Sequence, residues 1–202
     1  MGIDAVVFDI GNVLLEWDPE RFFDAKVGRA RRKALFSETA ILQMNDRLDQ
    51  GAPFRKTVYD FADQNPEYRD EIRMWHDHWL DMAHPRIHRS VALMRGLRDA
   101  GVAVFALSNF GVGTFAVACA EYEFLTEFDR RYISGHLGVC KPDPEIYALV
   151  ETDSGIAPER LFFTDDRPEN IDAAAARGWQ THLFAGPDGL AAALRGLGLP
   201  VA

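Results

Sequence analysis

The sequence predicts an α/β fold: a Rossmann-like, three-layer core on a parallel sheet, with a small all-helical cap inserted after the first strand. Three observations predict it. Short apolar runs of strand length recur along the chain, helical stretches separate the later ones, and a long segment after the first run is helical in period without a strand signal. Short strands alternating with helices form a parallel sheet covered on both faces, because each right-handed crossover must lie against one face of it.

The runs expected as strands are residues 3–8, 102–107, 131–134, 161–164 and 181–184. Before the second, Val91, Met94 and Leu97 share a helical face that Gly101 ends. Residues 115–123, 144–150 and 168–177 read as helices, with Pro144 and Pro168 at starts that tolerate proline and Gly178 just past an end. Residues 190–197 read as a terminal amphipathic helix. From 16 to 88 the rhythm breaks. Phe54, Val58 and Phe61 fall on one helical stripe, and Ile72, Trp75, Trp79 and Met82 on another. The expected division is a core of residues 1–15 and 89–202 and a cap of roughly four helices at 16–88, standing over the carboxyl edge of the sheet.

The chain of 202 residues is long enough for one full core plus a small insert. Its net charge of −9 argues against nucleic acid or an anionic membrane as the main partner, since both need a basic face. Cys119 and Cys140 are too few for a disulfide framework, and no apolar run has the length of a membrane span. The first residues lack the order of a signal peptide, and Val6 stands where a myristoylation motif needs Ser or Thr. A cytoplasmic monomer or homodimer is expected.

Four places could carry chemistry. Asp9 ends the first apolar run and is followed by Gly11-Asn12, so the sheet presents a carboxylate at its carboxyl edge, where open parallel sheets bind ligands. Ser108-Asn109 follow the second run, where a hydroxyl and turn amides suit phosphate. Lys141, stiffened by Pro142 and Pro144, is a point charge for a phosphoryl group. Asp165-Asp166 follow the fourth run; adjacent carboxylates repel unless a cation bridges them, which makes Mg²⁺ the natural guest. Taken singly, each has a plainer reading as a turn cap, a helix N-cap, a solvated lysine or a dipole-favoured acidic cluster. Their shared place at strand ends of one sheet favours function.

Other features read more simply. Gly111-Val112-Gly113-Thr114-Phe115-Ala116 matches a dinucleotide-binding pattern, but Ser108-Asn109-Phe110 separate it from the strand, so the glycines are expected to let the chain turn into its helix. His76 and His78 sit two apart on a helix and face different ways. His84 and His88 are separated by Pro85. Trp75 and Trp79 are expected in the cap core, Cys140 as a small filler. Arg47 and Asp49-Gln50-Gly51 form a polar turn where specificity could reside.

Together the motifs Phe8-Asp9-Ile10-Gly11-Asn12-Val13-Leu14, Leu107-Ser108-Asn109, Lys141-Pro142-Asp143-Pro144-Glu145-Ile146-Tyr147 and Phe162-Phe163-Thr164-Asp165-Asp166 resemble those of the haloacid dehalogenase-like hydrolases over nearly the whole chain. The Gly-Asn-Val variant and the cap are similar to the small-molecule, sugar-phosphate phosphatase subgroup. The resemblance implies an aspartyl-phosphate on Asp9. It implies Mg²⁺ held by Asp9, the Gly11 carbonyl and Asp166, with Asp165 either a ligand or behind one. Ser108, the Asn109 amide and Lys141 would hold the phosphoryl oxygens of a small phosphorylated metabolite, and Asn170 would brace the metal site. One position departs. Gly11 stands where most phosphatases of this superfamily carry an acid–base aspartate, which typically contributes ~10²–10⁴-fold. A sugar 1-phosphate, whose leaving group is more acidic than an ordinary alcohol, fits that loss. The alternatives are a 2-haloacid dehalogenase, disfavoured by the paired carboxylates, and a binding domain whose catalysis Gly11 has removed.

Overall fold

The structure, a computed structural model, describes residues 2–200. Strand β1 (Ala5–Phe8) is followed by six helices: α1 (Pro19–Val27), α2 (Arg29–Glu38), α3 (Ile41–Asp49), α4 (Phe54–Gln64), α5 (Arg69–Asp77) and α6 (Trp79–Met82). The chain then alternates: α7 (His88–Asp99), β2 (Ala103–Ser108), α8 (Val112–Glu121), β3 (Arg130–Ile133), α9 (Ser134–Leu137), α10 (Pro144–Ser154), β4 (Leu161–Asp165), α11 (Pro168–Ala176), β5 (Gln180–Leu183) and α12 (Pro187–Gly196). The strands form one sheet in the order β3-β2-β1-β4-β5, parallel at each pairing. This is the expected three-layer α/β core.

Period-two alternation makes the layers. Val6, Phe8, Val104, Ala106 and Phe162 join a cluster with Met94 and Leu97 of α7 and Leu190 and Leu194 of α12. Ala5, Val7, Phe105, Leu107 and Phe163 turn to the opposite face, against Ile146, Tyr147 and Val150 of α10. Central strands β1 and β4 are buried throughout, which is why their sequences are continuous apolar runs.

The insert has six α-helices where roughly four were expected. Gly28, at φ +81°, separates α1 from α2, and the stripe from Ile72 to Met82 divides at His78 into α5 and α6. Its centre is aromatic: Trp75 is fully buried, with ring centroids of Trp17 and Phe23 each 6.0 Å away. The two passages between insert and core run side by side. Ile87 N donates to Leu14 O (2.8 Å), Glu16 N to Pro85 O (3.0 Å) and Asp18 N to Met82 O (2.9 Å).

The insert meets the loops after β2 and β3 at glycines. A Cβ on Gly111 would lie 2.8 Å from Leu48 O, one on Gly113 2.6 Å from Phe54 Cβ, and one on Gly51 2.6 Å from Gly135 O. Gly111 therefore admits the insert's backbone and Gly113 its Phe54 side chain, a role beyond turning into α8. No helix among the described residues is long and apolar enough to cross a membrane.

Candidate active site

Asp9 follows β1, the middle strand, and its backbone N donates to Thr164 O of β4 at 2.9 Å, so the sheet itself fixes the carboxylate. Oδ1 accepts from Ile10 N (2.7 Å), Ser108 Oγ (2.7 Å) and Lys141 Nζ (2.9 Å). Ser108 is the last residue of β2, so the neighbouring strand delivers its hydroxyl.

Lys141 is buried with its ammonium between two carboxylates: Asp9, and Asp165 at 2.6 Å. Its loop is held by Asn109, whose Oδ1 accepts from Lys141 N (2.8 Å) and whose Nδ2 donates to Lys141 O (2.9 Å). The Asn109 side chain thus positions the lysine.

Asp165 and Asp166 differ in their partners and burial. Asp165 is fully buried, with Oδ1 accepting from Arg167 N (2.8 Å) and Asn170 Nδ2 (3.0 Å) and Oδ2 from Lys141 and Asn170. One of its oxygens holds the lysine, and Asn170 and the Arg167 amide brace the carboxylate. Asp166 is half-buried, and its Oδ2 accepts from Asn12 Nδ2 at 3.0 Å. Asn12 takes the left-handed backbone (φ 54°), and its Oδ1 accepts from Trp17 N at 2.9 Å. A left-handed conformation suits Asn far better than most residues. The Gly-Asn turn after Asp9 is the one sign of this brace in the sequence, and the partner of Asn12 is set only by the fold.

Electrostatics follow from burial. Desolvation pushes Asp9 up to about 6; Asp165 adds to the rise, while Lys141 and Ser108 oppose it. Burial works against the Lys141 charge, but Asp9 and Asp165 more than offset it and hold the lysine above its usual range. Asp166 is raised, by burial first, with Asn12 pulling down.

The residues fit a divalent cation. Oxygens of Asp9, Asp165 and Asp166 lie within 4.8 Å of one another. Among the described residues Asp9 Oδ2 carries no hydrogen bond and Asp166 Oδ1 none to a side chain, and Gly11 lines the same cavity. Hard carboxylate and carbonyl oxygens are the donors Mg²⁺ prefers, and a cation would return the raised acids to their charged forms.

The cavity has a volume of about 350 Å³. Core residues Asp9, Ser108, Lys141 and Asp166 form its floor, and the insert supplies Trp17, Leu42, Asn45, Asp46, Asp49, Trp75 and Trp79. Asp49 was read from sequence only as part of a polar turn; the fold brings it to the cavity. Burial, reinforced by Asp46, pushes Asp49 up to about 7. His76 and His78 each bond a neighbouring acid, Asp77 and Asp81, and lie away from this cavity.

A family model for haloacid dehalogenase-like hydrolases matches residues 3–178. The chain is 29% identical to a D-ribitol-5-phosphate phosphatase of Bacteroides thetaiotaomicron, covering 89% of this chain and 90% of that one. It is 25% identical to a sesquiterpene phosphatase of Aspergillus oryzae, over 86% of each chain. A crystal structure of a HAD family enzyme from Bacteroides thetaiotaomicron, in complex with magnesium and inorganic phosphate, superposes with a TM-score of 0.67. It is 25% identical, covering 90% of this chain and 93% of that one.

Proposed function

Because the chain belongs to the haloacid dehalogenase-like hydrolases, we propose that it is a Mg²⁺-dependent phosphatase acting on a small, polyhydroxylated phosphate monoester of the sugar-phosphate class. The observation that carries this reading is the convergence of Asp9 with Ser108, Lys141 and Asp166 on one cavity floor. The ribitol-phosphate relative supports the substrate class, as does a cavity with tryptophan walls and amide and carboxylate side chains for hydroxyls. The density of carboxylates favours phosphate with a cation over a 2-haloacid, whose anion they would repel.

Asp9 attacks phosphorus as the bond to the leaving oxygen breaks, and water then cleaves the aspartyl-phosphate to release inorganic phosphate. Lys141 and Ser108 orient the Asp9 carboxylate and present donors to the phosphoryl oxygens. Asp165 keeps the lysine charged and in place. Asp9, the Gly11 carbonyl and Asp166 would hold Mg²⁺, which supplies neutralisation of the charge that builds on the transferring group.

The test is hydrolysis of p-nitrophenyl phosphate and a panel of pentitol and hexose phosphates, with Mg²⁺ or EDTA, by wild type and D9N. Turnover that needs Mg²⁺ and disappears in D9N is expected. Halide release from 2-chloropropionate, indifferent to EDTA and without phosphate release, would replace this reading with the dehalogenase.

A further inference from the structure

Gly11 leaves the first motif without a side chain to protonate the leaving group, and a polyol phosphate, whose leaving group is an ordinary alcohol, calls for another group to move that proton. The cavity offers few. Lys141 is committed to Asp9 and Asp165, and Asp166 belongs with Asp9 to the cation-binding set. Glu16 is ion-paired to Arg21 at 2.6 Å. Arg167 is exposed, and a guanidinium does not give up its proton near neutral pH. Asp46 is exposed. Asp49 remains: half-buried, lining the same cavity as Asp9, and built into its position.

We propose that Asp49, at the end of α3, is the acid that protonates the leaving oxygen and the base that then deprotonates water. This rests on the phosphatase reading above. Asp49 has a rigid seat. Its carbonyl accepts from Ser134 Oγ at 2.6 Å, and the same hydroxyl accepts from Phe110 N at 2.9 Å, which ties the end of α3 to the loop after β2. Leu48 O lies against Gly111, where no side chain would fit. Asn45 Nδ2 holds Asp49 Oδ2 at 3.0 Å, and Oδ1 carries no side-chain hydrogen bond among the described residues. The core loop that follows Ser108 therefore carries, through the cap, a carboxyl group over its own cavity.

The protons balance. As phosphorus bonds to Asp9 and the ester oxygen departs, the Asp49 proton goes to that oxygen. In the second half, water bonds to phosphorus, the bond to Asp9 breaks, and the water proton returns to Asp49. Each cycle restores an Asp49 acid and an Asp9 carboxylate. The surroundings suit both forms. Burial, Asp46 and Asp9 raise Asp49, while Asn45 and the Gly111 amide lower it. Cys140 beside it is held as a neutral thiol by burial, with Lys141 further along that loop. A group poised near the working pH serves best as acid and base in turn.

The measurement is rapid-mixing kinetics of wild type, D49N and D49E on p-nitrophenyl phosphate and on a polyol phosphate such as ribitol 5-phosphate. Thermal melts check folding. p-Nitrophenolate leaves without help, so D49N should keep the p-nitrophenolate burst and lose the turnover that follows. On the polyol phosphate kcat should fall about 10²–10⁴-fold, D49E should recover part of it, and the pH limb that Asp49 sets should vanish in D49N. Equal kcat in D49N and wild type on the polyol phosphate, or a change in KM alone, overturns the assignment and leaves the phosphatase intact. Absence of phosphate release from every ester by wild type overturns the phosphatase reading and this inference with it.

Discussion

At the residue scale, a buried carboxyl group does two things at once. Asp49 is held near 7 chiefly by desolvation, so its charged form is disfavoured in the fold relative to the unfolded chain. Its folded-state pKa is raised, so the native state binds the extra proton and stability falls as pH rises from the unfolded value through the folded one. D49N, which cannot ionise, should melt higher than wild type at pH 8–9 and close to it at pH 4. Equal gains at both pH values in calorimetry would show that the site does not desolvate this group. Much of the chemistry was legible in residues that end strands: Asp9, Ser108 and Asp165 take their places from strand ends that the apolar runs mark. The division of labour within Asp165-Asp166 was not, because it depends on which carboxylate meets Lys141 and which meets Asn12. Nor was the place of Asp49, which is set by how α3 lands on Gly111 and Ser134.

At the scale of elements, two helical glycines make a matched pair. Gly113 in α8 faces Phe54 Cβ at 2.6 Å from where its own Cβ would be, whereas Gly96 in α7 faces nothing within 4 Å. Alanine at either improves helix propensity by roughly 0.5–1 kcal/mol. G96A should therefore raise the unfolding free energy by about that amount, and G113A should lower it, since overpacking of this kind costs about 1–3 kcal/mol. Denaturant titration settles the sign of each; a stabilised G113A would mean that α4 and α8 are not in this contact. Strand legibility follows burial. β1, β2 and β4 announce themselves by continuous apolar residues, whereas edge strands β3 (Arg130–Ile133) and β5 (Gln180–Leu183) carry Arg130, Arg131, Gln180 and His182 and give a weak or displaced signal. Helix number in the insert was underread because a hydrophobic stripe keeps its phase across the break at His78.

At the scale of the whole molecule, core and insert share one apolar cluster: Phe8 and Met94 of the core belong with Leu35, Val58 and Trp75 of the insert. Shared packing predicts shared melting. Tryptophan emission in a W179F variant reports Trp17, Trp75 and Trp79, while far-UV circular dichroism reports all helices. The two should give one coincident transition; separated midpoints would show that the insert is stable on its own. The sheet order has a consequence for how the protein is made. β1 is the middle strand, yet it is the earliest to leave the ribosome. Val6 must wait for Val104 before it gains its first neighbour, and for Phe162 before it gains its second. For most of translation the nucleophile's strand is an unpaired apolar segment, of the kind that seeks improper partners. The helices that emerge next are the nearest cover for it. The inserted segment that walls the mature cavity thus stands, by its place in the chain, where a nascent strand most needs shelter.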